Sequence, residues 1–249
     1  MIKEKRYAYI LAKLQDNQQV GFAELSSDLK VSEDTIRRDI EALANNGLLM
    51  KIRGGAIPRS HNPLTFKERI SYLKDDKEVI ALKAQPLIKS GQTIFLDGGT
   101  SVFTLVSLLP TDIKLTVITN NTAIIPALSA YPGVKLILLG GTYFKESETV
   151  VGLQAIRMVE NFQADLYFMG ICALDVQRGV TAAYLEEAEL KQAMLAHSGV
   201  AVALSTFEKL ETYETYRVCP IESLDYIITE VDTADAKFNA FRQAGLKIL

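Results

Sequence analysis

Apolar residues recur at helical spacing up to about residue 58. From about residue 93, short β-rich runs alternate with helical stretches instead. In the first part, Ile2, Arg6, Ile10 and Leu14 gather around one predicted helix, with Tyr7 and Leu11 widening its apolar face. Phe22, Leu25 and Leu29, at i, i+3 and i+7, predict a short second helix over residues 22–29. Lys30-Val31-Ser32 then reads as a tight turn. Ile36, Ile40 and Leu43 place one buried stripe on a third helix, which runs from Glu33 to about Asn46. Ser32 is placed to cap its first turn and Gly47 to close it. Residues 48–57 read as a two-stranded wing turned by Gly54-Gly55.

In the second part, a helix is expected over residues 77–88, with Pro86 near its end, and Gly91 turns the chain. Strands are predicted at residues 93–96, 115–119, 134–139, 166–169, 199–204 and 226–229. Helices are predicted at 100–109, 122–130, 153–159, 186–197 and 234–244. Such alternation predicts an α/β domain with a mostly parallel sheet covered by helices and ligands at the carboxyl ends of the strands. The prolines and polar residues of Pro58-Arg59-Ser60-His61-Asn62-Pro63 can continue neither a helix nor a central strand. The expected organisation is therefore a domain over residues 1–57, a linker over 58–75 and a larger domain over 76–249.

Composition narrows the class. With 48% hydrophobic residues in 249, the chain can fill a proper core, and disordered, collagen-like and disulfide-scaffold proteins are excluded. No apolar run reaches the roughly 18 residues that a membrane span needs. Residues 1–6 begin basic but lack the apolar stretch and cleavage site of a signal peptide, so a cytoplasmic protein is expected. Cys172 and Cys219 lie far apart with no CxxC, and the only histidines are His61 and His197. Metal and Ser-His-Asp chemistry are poorly supported, and no cofactor is expected. The net charge of −3 argues at first against nucleic acid. It is unevenly spread: residues 1–59 hold ten Lys/Arg against eight Asp/Glu, which leaves the remainder acidic.

At about 100° per residue, Thr35, Arg38 and Ala42 fall opposite the buried stripe of the third helix, with Arg37 on the flank. A helix that opens with short hydroxyls and two guanidinium groups suits a major groove, where arginines reach guanine or phosphate. Arg53 at the wing tip would sit over a backbone phosphate. In the larger domain the polar motifs follow the strands: Asp97-Gly98-Gly99-Thr100-Ser101, Thr119-Asn120-Asn121 and Gly140-Gly141-Thr142, with Gly179-Val180-Thr181 in a loop after the fourth. Glycines that allow close backbone approach, followed by hydroxyls at a helix N-terminus, favour an anion such as a phosphate. A plain βα turn with an N-cap gives the first of these loops the same composition.

The ordered set Val31-Ser32, Thr35-Ile36-Arg37-Arg38-Asp39-Ile40, Leu43, Gly47-Leu48-Leu49 and Arg53-Gly54-Gly55-Ala56 closely resembles the winged helix-turn-helix signature of the DeoR family of bacterial transcriptional regulators. The resemblance gives DNA-contacting roles to Ser32, Thr35, Arg37, Arg38 and Arg53; Lys51 either assists or is a solvated lysine. The succession Asp-Gly-Gly-Thr-Ser, Thr-Asn-Asn, Leu-Gly-Gly and Glu186-Glu187-Ala188-Glu189-Leu190-Lys191 looks like that family's effector domain, which is related in fold to ribose-5-phosphate isomerase. It implies binding of a phosphorylated sugar by Asp97, Gly99, Thr100, Ser101, Asn120 and Gly141. Glu187 and Lys191 stand either at the mouth of that pocket or as an i,i+4 ion pair on a solvated face. Where the family shows Asp-Ser-Ser-Lys-Phe, this chain has Thr206-Phe207-Glu208-Lys209-Leu210. Lys209 is retained; the acidic position is Thr206, so either the effector or its grip differs, or Ser205 or Glu208 stands in. Cys172 either lines the pocket or is a buried thiol. The resemblance implies a homo-oligomeric repressor that leaves operator DNA when the sugar phosphate binds, with no membrane partner and no catalysis. The alternative is a sugar-phosphate isomerase-like enzyme with an attached DNA-binding domain.

Overall fold

A computed structural model describes residues 3–17, 19–45, 49–52, 54–57 and 66–249. Ile2, Gly47, Leu48, Arg53 and residues 58–65, including His61, lie outside the described residues. The chain divides into two compact units, residues 1–64 and 65–249.

The first unit contains α1 (Lys3–Asn17), β1 (Val20–Gly21), α2 (Phe22–Leu29), α3 (Glu33–Asn45), β2 (Met50–Ile52) and β3 (Gly55–Ile57). The expected apolar stripes meet in one core, where Ile10, Leu25, Ile36, Ile40 and Leu43 are fully buried. Arg6, placed by its spacing near the apolar face of α1, is satisfied by α3: its guanidinium donates to both oxygens of Asp39 at 2.6 and 3.0 Å. Between α2 and α3, Lys30 takes a left-handed conformation at φ +53°, and the Val31 N–H returns to the Ser26 carbonyl at 3.2 Å. That bond pattern closes α2 and turns the chain sharply into α3. Ser32 caps α3, its hydroxyl accepting from the Thr35 N–H at 3.3 Å. The wing has a third strand that the sequence reading lacked. β1 pairs with β3 in antiparallel register, Val20 opposite Ala56 and Gly21 opposite Gly55. Two residues are too few to show an alternating pattern.

The second unit begins with α4 (Phe66–Ser71) and α5 (Lys74–Ala84), followed by β4 (Thr93–Leu96), α6 (Thr100–Ser107), β5 (Leu115–Thr119), α7 (Ile125–Leu128), β6 (Val134–Leu138), β7 (Thr142–Phe144) and β8 (Thr149–Val151). It continues through α8 (Leu153–Val159), β9 (Ala164–Gly170), β10 (Ala173–Asp175), β11 (Gly179–Ala182), α9 (Leu185–Ala196), β12 (Ser198–Leu204), β13 (Tyr216–Cys219), β14 (Tyr226–Ile228), α10 (Asn239–Gln243) and β15 (Lys247–Ile248). Seven parallel strands form the main sheet in the order β15-β14-β12-β9-β4-β5-β6.

Residues along each strand alternate between two cores. Phe95, Ile118, Tyr167, Met169, Ala203 and Ile227 face α8, α9 and α10. Ile94, Leu96, Val117, Phe168, Val202 and Ile228 face α5, α6 and α7. A sheet buried on both faces needs strands without polar alternation, which is why they read as continuous apolar runs.

Three differences from the sequence reading have local causes. Residues 66–71, within the expected linker, are helical: Phe66 is 3% exposed and meets Phe103 of α6 edge-on, ring centroids 6.2 Å apart. One aromatic among charged residues shows no helical period. α5 starts at Lys74 rather than Lys77, because Leu73 at φ +49° separates it from α4, and Pro86 ends it in a 3-10 turn. Gly179-Val180-Thr181, read as a loop, is the centre strand of a small antiparallel sheet, β10-β11-β13. Its Val180 is fully buried, and a run of four residues opened by glycine carries too little pattern to announce it.

The wing is closely packed at Gly55. A Cβ on Gly55 would lie 1.9 Å from the Val20 carbonyl oxygen, which is backbone and has nowhere to go. Gly55→Ala should cost the first unit at least about 2 kcal/mol through overpacking. Native-state hydrogen exchange checks this: amides of β1, α2 and α3 should exchange faster, while those of β4 and β5 stay unchanged. Equal exchange in β1 and β3 contradicts the packing.

Candidate functional site

Two surfaces gather the predicted residues. On α3, Ile36, Asp39, Ile40 and Leu43 face inward and are buried. Arg37 and Arg38 are exposed and Thr35 is half-buried. The Ser32 and Thr35 hydroxyls share a hydrogen bond of 2.9 Å. Arg37 is held along the helix, its guanidinium 4.8 Å from the centre of the Phe22 ring and 3.6 Å from the Glu33 carboxylate. Arg38 has no partner among the described residues. Lys51 lies 3.5 Å from Glu41, both exposed. Arg53 lies outside the described residues.

The second surface follows from the strand order. β4, β5 and β6 progress toward one edge, whereas β9, β12, β14 and β15 progress toward the other. Adjacent strands that leave in opposite directions open a crevice at their carboxyl ends. Here that crevice lies between the ends of β4 and β9, at Asp97 and Gly170. Asp97 is 1% exposed. One of its oxygens accepts from the Gly170 N–H at 2.6 Å; the other accepts from the Tyr167 hydroxyl at 2.5 Å and from the Lys191 ammonium. Lys191 also donates to the Gly170 carbonyl at 2.8 Å. Burial pushes the Asp97 carboxyl up, and the ammonium, hydroxyl and amide around it work against that rise. Burial beside the same carboxylate raises Tyr167 well above its ordinary value, so its hydroxyl stays a donor. A Cβ on Gly170 would lie 2.1 Å from the Gly98 carbonyl oxygen, so the two loops meet as bare backbone.

The remaining predicted residues take distinct places. Gly99, at φ +133°, delivers the chain into α6, where Thr100 and Ser101 are buried in the first turn. The first N–H groups of a helix have no intrahelical acceptor. Asn121 ties the β5 loop to this group through its side-chain amide, 3.1 Å from the Asp97 carbonyl. Asn120 donates to the Val150 carbonyl at 3.0 Å, and its buried Oδ1 has no partner among the described residues. Gly141 is exposed at the start of the β7-β8 hairpin, and a Cβ there would lie 2.6 Å from the Val151 carbonyl oxygen. Lys191 turns inward to Asp97 rather than pairing with Glu187. Lys209 donates to the Ile171 carbonyl at 2.7 Å, and burial lowers its pKa, with Arg69 and Lys191 adding to the effect. Burial raises Cys172 beside it to about 11, which leaves a neutral thiol.

At the departure from the family pattern, Thr206 is 1% exposed, with its hydroxyl 3.5 Å from Glu208. The Ser205 hydroxyl is bonded to the Thr206 carbonyl at 3.1 Å. The other Glu208 oxygen accepts from the Tyr72 hydroxyl at 2.7 Å, so that carboxylate faces the turn after α4. Glu230 caps this loop, its oxygens 2.9 and 3.1 Å from the Phe207 N–H.

Sequence reasoning missed Tyr167, whose hydroxyl was hidden in an apolar strand. It also missed Arg69, Tyr72 and Lys77, which fell in or beside the expected linker. The Lys77 ammonium donates to the Arg69 and Tyr72 carbonyls. Burial lowers its pKa to about 8, aided by Lys209. Among the described residues no group of His, Cys, Asp and Glu is arranged to hold a metal, and no helix is long and apolar enough to cross a membrane.

Two measurements test these assignments. Lys191→Met leaves the Asp97 carboxylate buried without its cation and should cost about 3–5 kcal/mol in urea unfolding. Adding Asp97→Asn should recover much of it, whereas a Lys191→Met loss within about 0.5 kcal/mol of zero contradicts the pair. For Lys77, the unfolded chain keeps the proton up to the ordinary value of 10.5 while the folded one releases it at about 8. The unfolded state then binds more protons across that window, so this group makes stability rise with pH between the two values. The difference in urea midpoint between wild type and Lys77→Met should therefore change between pH 7.5 and pH 10; a constant difference contradicts the depressed value.

Residues 6–61 match the DeoR-like helix-turn-helix domain, and residues 73–231 match the DeoR C terminal sensor domain. The HTH-type transcriptional regulator GolR of Listeria innocua is 33% identical over 250 residues, covering 100% of this chain and 98% of that protein. The HTH-type transcriptional repressor GlcR of Bacillus subtilis is 28% identical, covering 100% of this chain and 96% of that protein. Among solved structures, ribose 5-phosphate isomerase A from Methanocaldococcus jannaschii is similar with a TM-score of 0.41 and 16% identity, covering 55% of each chain. With a helix-turn-helix whose arginines face outward and a sensor domain built around a strand-end crevice, the chain belongs to the DeoR family of transcriptional regulators.

Proposed function

We propose that the protein is a cytoplasmic, homo-oligomeric repressor of a carbohydrate-utilisation operon, released from operator DNA when a phosphorylated sugar occupies the crevice between β4 and β9. The observation that carries the DNA-binding half is the division of α3, with Ile36, Ile40 and Leu43 buried and Arg37 and Arg38 exposed. The N-terminal residues of such a helix meet base edges when it enters a major groove, and its arginines reach guanine or phosphate. Ser32, Thr35, Lys51 and Arg53 complete the proposed contacts. The effector half is supported by the buried first turn of α6, by Lys209 and Lys191 on the far side of the crevice, and by the Oδ1 of Asn120, which has no partner among the described residues and suits a sugar hydroxyl as donor. Asp97 serves here as the support that positions Lys191 and Gly170, because both its oxygens are already engaged. That commitment also speaks against an isomerase base at Asp97, since a base must reach the substrate proton.

A single winged helix makes few phosphate contacts, and the net charge of −3 supplies little general attraction to DNA. Two recognition helices held by an oligomer at the spacing of two half-sites, about 34–36 Å, supply the missing affinity. The effector must then bind the DNA-competent arrangement less well than the released one.

Operator DNA selected from genomic fragments by the purified protein provides the test. Arg38→Ala should weaken its gel-shift affinity on the order of 10- to 100-fold, as loss of one bidentate base contact does, with the circular dichroism unchanged. Wild-type affinity in that variant would sink the recognition-helix assignment. Phosphorylated sugars should dissociate the wild-type complex where their unphosphorylated counterparts do not.

A further inference from the structure

The two arginines on the outward side of α3 stand in different surroundings. Arg38 lies opposite the buried stripe of Ile36, Ile40 and Leu43, whereas Arg37 lies about a quarter turn away from that stripe, on the flank. That flank faces α2: the Arg37 guanidinium sits 4.8 Å from the centre of the Phe22 ring. Phe22 is the first residue of α2, is buried, and donates its N–H to the Gly54 carbonyl of the wing turn at 2.9 Å. Arg37 is therefore fixed where α3, the start of α2 and the turn of the wing come together.

The charges around the two also differ. Arg37 has Glu33 one turn earlier, 3.6 Å away, in a pair that is exposed on both sides, at 54% and 48%. A solvated i,i+4 pair is weak and screened by salt, so a phosphate that offers two oxygens to the guanidinium displaces it. The ring contact survives that exchange, because a guanidinium stacked on an aromatic face keeps the N–H groups at its edge free to donate. Arg38 shares the outward face with two exposed acids, Asp34 one turn before it and Glu41 nearly one turn after it. Lys51 offsets only Glu41, at 3.5 Å. Carboxylates on this face repel phosphates and leave the Arg38 fork to a neutral base edge.

We infer that Arg37 is the backbone clamp of α3, donating to a phosphate at the edge of the major groove and carrying no sequence information, while Arg38 alone of the two reads bases. The inference rests on the reading that α3 enters a major groove. In a helix-turn-helix the second helix lies in the groove and the first crosses the backbone. The flank of α3 that meets the first residue of α2 is therefore the flank that passes nearest the phosphates. An arginine already laid against a ring there gives up little side-chain freedom when it takes a phosphate, and such contacts fix the register of the protein on the duplex. The centre of the outward face, where Arg38 stands, is the part that meets base edges.

The test uses the full chain at low salt on the duplex it selects from a pool with a randomised centre, on single-base variants of that duplex, and on a scrambled duplex of the same length and composition. Both arginines are exposed, so circular dichroism should be unchanged in every variant. Arg37→Ala should weaken binding to the selected and scrambled duplexes by the same factor, on the order of 10-fold, with the ranking of the single-base variants unchanged. Its slope of log affinity against log salt should fall by about one for each recognition helix engaged. Arg37→Lys should keep most of the affinity, because a phosphate also accepts a point charge. Arg38→Ala should lose on the order of 10- to 100-fold on the selected duplex and little on the scrambled one, with the preference flattened at one or two base pairs. A changed base preference in Arg37→Ala, a loss there confined to the selected duplex, or no loss there at all overturns the inference while leaving the recognition helix standing. So does an Arg38→Ala loss that is equal on both duplexes. No loss in either alanine variant, or no sequence preference in wild type, overturns the recognition-helix reading and the inference together.

Discussion

The second unit depends on one buried ion pair. The Asp97 carboxylate is 1% exposed, and the Lys191 ammonium that meets it is itself buried, so each is tolerable only because the other is there. The pair sits where the sheet changes direction, between β4 and β9, and it joins three elements distant in sequence: the end of β4, the end of β9 and the second turn of α9. Tyr167 and the Gly170 N–H complete the shell of donors. Because Gly98 and Gly170 meet there with no side chain between them, the two loops hold their backbones at a fixed separation. The first turn of α6 and the carbonyl that holds Lys209 are thereby placed on opposite sides of one crevice. Asp97 shapes the crevice, and in the proposed complex the ligand contacts fall to others.

The same economy suits an acidic chain to the two anionic partners proposed for it. Neither surface relies on bulk charge. On α3, a buried apolar stripe turns two arginines outward, and Asp39, which could have offset them at the surface, is consumed inward by Arg6. At the crevice, the cations are gathered by the packing of α4, α5 and α9 around the strand ends. Partners recognised in this way are selected by geometry at short range, and the proposed oligomer would supply the affinity that long-range attraction does not.

Much of this was legible in the sequence where a feature is local. The stripe Ile36, Ile40, Leu43 fixes which face of α3 points outward, and the apolar runs at residues 93–96, 115–119 and 166–169 fall in parallel strands because strands covered on both faces show no polar alternation. The glycine-rich loops mark the strand ends for the same reason, since backbones that touch admit no Cβ. Features created by tertiary pairing were not legible. Lys191 has Glu187 four residues earlier and could as well have paired along the helix; only the fold brings Asp97 to it. Tyr167 reads as one more apolar residue until its hydroxyl meets a carboxylate. Arg69, Tyr72 and Lys77 stand in or beside a stretch whose single buried anchor, Phe66, leaves no periodic trace, so a helix that borders the crevice read as linker.

The account stands on an anion being held between the ends of β4 and β9. Anomalous diffraction from crystals of the full chain soaked in tungstate, a heavy phosphate analogue, tests this most directly. The account predicts the principal tungsten peak within hydrogen-bond reach of the first turn of α6 and of Lys209. A principal peak elsewhere, for instance at the surface depression lined by Arg178, Tyr213 and Arg217, with the crevice empty, would contradict it.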